Sequence, residues 1–260
     1  MAHPLIARYR GVVPPLVLLA AIVVGLEVLV RALRLPSYLL PAPSAVAAEL
    51  ASSPDYYLAN ARVTLVEAVG GLALGSVIGF GLGALMARSV FAERVLMPLA
   101  VGVRVTPIIA IAPIFIIWFG FTIWPKLVVA ALITFFPVLT NTVVGLRSVD
   151  ARTLELLRSL HASEWEIFTR LRVPNALPYL FAALKVGVSL SLIGAVVGEL
   201  VGAREGLGHV IDDASINLVT KTVFSAVVAL TGMGIVLTEV ASAVERRALF
   251  WHESQRSSHQ

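Results

Sequence analysis

Residues 150–178 read DARTLELLRSLHASEWEIFTRLRVPNALP, the longest charge-rich segment in an otherwise apolar chain. It carries Asp150, Arg152, Glu155, Arg158, Glu164, Glu166, Arg170 and Arg172. The pattern predicts two short helices in tandem. Asp150 is placed to cap the first, and Ser163 with Glu166 forms a Ser-x-x-Glu capping box for the second. Leu154, Leu157 and Leu160 make one apolar stripe, and Trp165, Phe168 and Leu171 another at helical spacing. Pro174 and Pro178 are expected to end the pattern before a new apolar run. A helical hairpin of this kind between two greasy segments is an unusual loop, and something in the aqueous phase is expected to dock on it.

Working outward, the composition says what surrounds the hairpin. Of 260 residues, 58% are hydrophobic and 14% charged, with a mean hydropathy of +0.90. Soluble domains average about 25% charged residues, so an integral membrane protein is expected. There is no cysteine, which excludes disulfides, thiolate zinc and iron–sulfur clusters. The formal charge of +4 is assigned to loops on the cytoplasmic side rather than to nucleic-acid binding. Arg8 and Arg10 before an apolar run imitate a signal peptide, but no small-x-small site follows, so an uncleaved first span is expected.

Six spans follow from the hydropathy. The first runs from Val12 to Leu33, with Pro14 and Pro15 in its first turn. Leu35–Tyr57 is proline-punctuated, with a short helix near Ser44–Ala51, and is placed outside the membrane. The second span centres on Ala68–Ala87 and repeats glycine every four residues at Gly71, Gly75, Gly79 and Gly83, a groove for close helix packing. Arg88, Glu93 and Arg94 form an inner loop. The third span, Val95–Phe119, holds Arg104, Pro107 and Pro113; its prolines are expected to bend it, with carbonyls that need partners or a lined cavity. The fourth, Leu127–Leu146, holds Pro137 and the polar run Thr140–Asn141–Thr142, read mainly as bonds between helices. The fifth, Ala176–Val201, contains Lys185 and Glu199; residues 202–222 are a polar loop, and the sixth span is Val223–Val244.

Lys and Arg set the orientation. With the N-terminus inside, 12 fall on inner segments and 6 on outer ones, with Arg104 and Lys185 left within spans. The positive-inside rule puts both termini and the hairpin in the cytoplasm. Ionisable groups in spans cost about 2.5–3.5 kcal/mol each on insertion scales, so Arg104, Lys185 and Glu199, with Asn141, are the candidate pathway or gate residues. Snorkelling or structural ion pairing is the plainer role for Arg104 and Lys185.

Catalytic patterns are missing. No G-x-x-x-x-G-K-[ST] phosphate loop and no H-E-x-x-H motif occurs, the five histidines are scattered, and no metal site is expected. A membrane-embedded enzyme needs a polar cluster at membrane depth, which cannot be assembled from this sequence. A membrane scaffold with a docking loop does not call for proline-broken spans or buried charge.

The segments Glu155–Phe168 (ELLRSLHASEWEIF) and Leu171–Pro178 (LRVPNALP) resemble the EAA loop of permease subunits of binding-protein-dependent ABC importers. LLPAPSAV (Leu39–Val46), IAPIFIIWFG (Ile111–Gly120), FFPVLTNTVVGLRSVD (Phe135–Asp150) and GELVGAREGLGHVI (Gly198–Ile211) are similar to the nitrate/sulfonate/taurine-type branch. The family's Glu-Ala-Ala stands here as Glu155-Leu156-Leu157, and its turn glycine as His161, one of the few other residues that tolerates positive φ.

The resemblance implies an all-α membrane protein with the six-helix type I ABC importer permease fold and cytoplasmic coupling helices. It divides the chain into an N-terminal helix and external segment (1–62), a core permease domain (63–248, coupling hairpin 150–173) and a polar tail (249–260). It implies alternating access by a homodimer of permease subunits in the bacterial inner membrane. Two cytoplasmic ATPase subunits would hold the ATP and Mg, and a periplasmic or lipid-anchored solute-binding protein would deliver the substrate; this chain binds no cofactor. The coupling residues it points to are Leu154, Glu155, Leu157, Leu160, His161, Ala162, Ser163, Trp165 and Phe168. The apolar ones among them have an equal claim to packing on the protein's own helix ends, since a coupling helix has two faces. The substrate class spans sulfonate-, taurine- or nitrate-like anions and pyrimidine or flavin vitamin precursors.

Overall fold

Glycine at every fourth position fixes the centre of the molecule. A computed structural model describes residues 4–249, with side chains from residue 13 on. In it, Gly71, Gly75, Gly79 and Gly83 lie buried along α3 (Pro54–Arg88) against α6 (Trp124–Arg147). A side chain on this stripe would strike backbone: a Cβ at Gly75 would sit 2.6 Å from the Ala131 carbonyl, and one at Gly79 2.8 Å from that of Phe135. The small-residue groove lets the two helices approach closely, as the sequence predicts. On its other side α6 packs against α9 (Val173–Leu200), where Gly194 meets the backbone of Ala130. This three-helix slab is the core.

The remaining elements surround it. α1 (Pro4–Ala32) touches mainly α2 (Pro43–Ser52), and α11 (Thr220–Ala248) leans on α9, α2 and α3. Five helices are long and apolar enough to cross a membrane. Six crossings result when α4 (Val90–Val105) and α5 (Ile108–Phe119) count as one, and no strand occurs among the described residues.

Four expectations are corrected and one is met. Pro14 and Pro15 lie well inside α1 rather than in its first turn. The second span reaches well before its expected Ala68–Ala87 centre, beginning at Pro54 in the segment placed outside the membrane. Glu93 and Arg94 lie within α4, because Ser89 caps a new helix there by accepting from the Ala92 N–H. The third span is bent, as its prolines lead one to expect: Thr106 and Pro107 are extended, and α4 meets α5 at 97°. Proline at 107 restricts Thr106 to extended backbone, which stops α4. The loop 202–222 contains α10 (Leu207–Ile216), an amphipathic helix whose Leu207, Gly208, Val210 and Ala214 are buried. The expected tail, beyond Leu249, lies outside the described residues.

Candidate functional site

The hairpin is built by caps. Asp150 accepts from the Thr153 N–H at 3.1 Å and starts α7 (Ala151–Ser159). His161 ends it at φ 58°, the left-handed conformation that the position of the family's glycine calls for. Its N–H bonds the Arg158 carbonyl and that of Ala162 bonds Leu157, both at 3.0 Å. These two bonds form a Schellman motif. Ser163 and Glu166 then make the full reciprocal capping box of α8 (Glu164–Ile167).

The prolines do not end the second helix. Pro174 has no N–H for the Arg170 carbonyl, and Pro178 none for that of Pro174. The backbone answers with a π-helical turn, Phe168–Arg172, in which the Val173 N–H reaches the Phe168 carbonyl. Such π-bulges keep a helix running through a local defect. α8, the π turn and α9 therefore form one rod over Glu164–Leu200.

The two faces of the hairpin have separated. Ile167 is fully buried and anchors it, an interaction worth about 1.5–3 kcal/mol. Phe168 borders a narrow cleft with Ala84, Ala87 and Arg88 of α3 and Leu146 of α6. Leu154 and Leu157 are half-buried. Leu156, Leu160 and Trp165 are 59%, 68% and 67% exposed, and Trp165 stacks on Phe168 with ring centroids 5.9 Å apart. Glu155, His161 and Ser163 are exposed and Ala162 is half-buried. In the sequence pattern Leu156 stands out only as a departure from the motif, and Ile167 belongs to neither apolar stripe. Helical phase marks Leu156, four residues from Leu160.

The polar groups of the bundle fall into three places. Near the hairpin, the Arg147 guanidinium donates to the Met86 carbonyl at 2.7 Å and pairs with Glu93 at 2.8 Å, tying α6 to α3 and α4. Lys185 pairs with Glu245 of α11 at 2.7 Å. At the opposite end, Glu199 is 1% exposed, accepting from the Thr64 hydroxyl at 2.7 Å and from the Gly208 N–H. Glu67 lies beside it, with Lys126 3.4 Å away. Asn60 accepts from the Gly206 N–H at 2.8 Å, and this network staples α10 to the core.

Arg104 and Asn141 come together, while Lys185 and Glu199 lie elsewhere. The first two line a cavity of about 460 Å³ between α4, α5, α6 and α9, with Val103, Ile108, Ile133, Phe136 and Thr140 among its walls. Arg104 lies over the Phe136 ring at 4.7 Å. The expected bonds between helices from Thr140, Asn141 and Thr142 are not formed. All three side chains donate back to carbonyls of α6 itself, at Phe136 and Pro137, Pro137 and Val138. That local alternative is open to any short polar side chain on a helix.

A capped hairpin with an uncovered outer face runs without a break into a bundle of apolar helices. The chain belongs to the family of binding-protein-dependent transport system inner membrane components, whose model matches residues 75–249. It is 36% identical to the formylaminopyrimidine transport permease protein ThiX of Halalkalibacterium halodurans over 95% of this chain and 98% of the relative. It is 35% identical to the riboflavin transport system permease protein RibX of Chloroflexus aurantiacus, covering 84% and 82%. The fold is shared with the inward-facing MetNI methionine ABC transporter, at a TM-score of 0.62 over 72% of this chain and 93% of that one, with 18% identity. The protein is an ABC importer permease subunit.

Proposed function

We propose that the chain works as a homodimer in the inner membrane, hairpin and both termini in the cytoplasm, importing a pyrimidine- or flavin-type vitamin precursor. Two separate ATPase subunits, holding the ATP and Mg, would dock on the hairpins, and a solute-binding protein would deliver the substrate from outside. The observation that carries the coupling role is the exposure of Leu156, Leu160 and Trp165 on a hairpin that continues into α9. When the ATPase dimer closes, a docked hairpin moves with it. The rod of 37 residues, about 55 Å at the helical rise, carries that displacement through the bundle to the α10 staple. Such rigid-body motion of packed helices is a common route to alternating access.

The substrate class rests on the two relatives whose names give nitrogen heterocycles, one of them matched over almost its full length. The sulfonate and nitrate classes are the competing reading. A calorimetric ligand screen on the partner binding protein, with formylaminopyrimidine, riboflavin, taurine and nitrate as probes, tests it. Heterocycle binding is expected; binding of taurine or nitrate instead overturns the substrate assignment.

A further inference from the structure

We propose that the cavity at the α4–α5 break is a solute-binding site within the membrane domain, built for a flat nitrogen heterocycle bearing both hydrogen-bond donors and acceptors. It rests on the substrate class proposed above and adds where and by which groups this chain would hold the solute.

Size comes first. At about 460 Å³ the cavity lies within the roughly 300–1,000 Å³ range of small-molecule sites. Its lining pairs apolar walls, Val103, Ile108, Leu132, Ile133 and Leu190, with a few convergent polar groups. That is the usual composition of a pocket that binds by area and selects by polar placement.

The polar groups are those a heterocycle needs. Arg104 makes no hydrogen bond or ion pair to any described residue, and its contact is with the Phe136 ring, so its N–H groups remain available for acceptors on a solute. An acidic side chain is absent from the lining, so the cation is not neutralised locally. Asn141 spends its Nδ2 on the Pro137 carbonyl, which leaves Oδ1 as an acceptor. A second acceptor comes from the backbone: Pro137 has no N–H for the Ile133 carbonyl, and both residues line the cavity. Freed carbonyls at membrane depth are tolerated where they line a cavity. The Arg104–Phe136 pair adds a planar surface on which an aromatic solute can stack. A nitrate or a plain alkanesulfonate, with acceptors only, would use the guanidinium and leave Asn141 and Ile133 unmatched, and unmatched buried groups cost affinity.

The test uses the full permease–ATPase complex in proteoliposomes with its binding protein. Uptake of labelled formylaminopyrimidine by the wild type checks the substrate class itself; no wild-type uptake overturns that reading and this site with it. Given wild-type uptake, Arg104→Gln and Asn141→Ala are each expected to raise the half-saturating solute concentration at least tenfold, with Arg104→Lys recovering part of the loss. Ile133→Trp, which fills the cavity, is expected to block uptake while the complex still assembles on size-exclusion chromatography. Wild-type uptake with unchanged half-saturation in both Arg104→Gln and Asn141→Ala, or normal uptake by Ile133→Trp, overturns the site and leaves the substrate class standing.

Discussion

Glu155 is exposed on α7 and makes no hydrogen bond or ion pair to any described residue, whereas its neighbours Arg158 and Glu164 pair with each other at 3.3 Å. A charged side chain unused by its own protein contributes little to the fold, since surface charges away from special features are worth within about 0.5 kcal/mol. Glu155→Ala is therefore expected to leave expression and insertion unchanged while ATP hydrolysis no longer tracks uptake. Parallel measurement of phosphate release and solute accumulation in proteoliposomes checks this, and normal uptake at a normal ATP ratio refutes the contact. At this scale the sequence was readable wherever chemistry is local. The caps at Asp150 and Ser163 and the positive φ at His161 depend only on residues within four positions of each other. Arg104 over Phe136 was not readable, because it joins residues 32 positions apart across a break whose angle no local pattern sets.

Among the elements, the prolines act in opposite ways, for one physical reason. A proline removes a single N–H, and what the chain does next depends on its neighbours. At Pro107 an extended Thr106 turns the chain through 97°, the bend expected of that span; at Pro174 a π turn absorbs the loss, and the helix continues through Pro178, where the sequence predicts a stop. Glycine was legible because its periodicity names a face directly. The α3–α6 contact gives the sharpest prediction at this scale. Gly75→Val would drive a side chain into Thr134 and the Ala131 backbone, where nothing can rotate away. Overpacking of this kind costs about 1–3 kcal/mol, occasionally more. The variant is expected to lose monodispersity in detergent. Gly81→Val on the same helix, where a Cβ would meet nothing within 4 Å, is expected to behave as wild type in the same chromatographic assay.

For the whole molecule, the question is where a driving subunit would dock. The hairpin's inner face is committed: Ile167 is buried and Phe168 lies over the ends of α3 and α6. Its outer face leaves Leu156, Leu160 and Trp165 to water, on a segment the charge pattern places outside the membrane. In the proposed arrangement lipid does not reach these side chains, and a docked ATPase subunit would remove them from water. Aromatic anchors at the centre of interfaces commonly cost 2 kcal/mol or more when truncated, more than tenfold in affinity. The combined variant Leu156→Glu, Leu160→Glu, Trp165→Ala is thus expected to lose the ATPase subunit on co-purification while the permease still elutes as a single folded species. Because the three side chains make little contact with the bundle, a collapse of the permease itself would mean that they hold the fold rather than the partner. Retention of the ATPase at wild-type stoichiometry would place the docking surface elsewhere on the hairpin end. Loss of the ATPase from an intact permease is the outcome that the separation of buried and exposed faces requires.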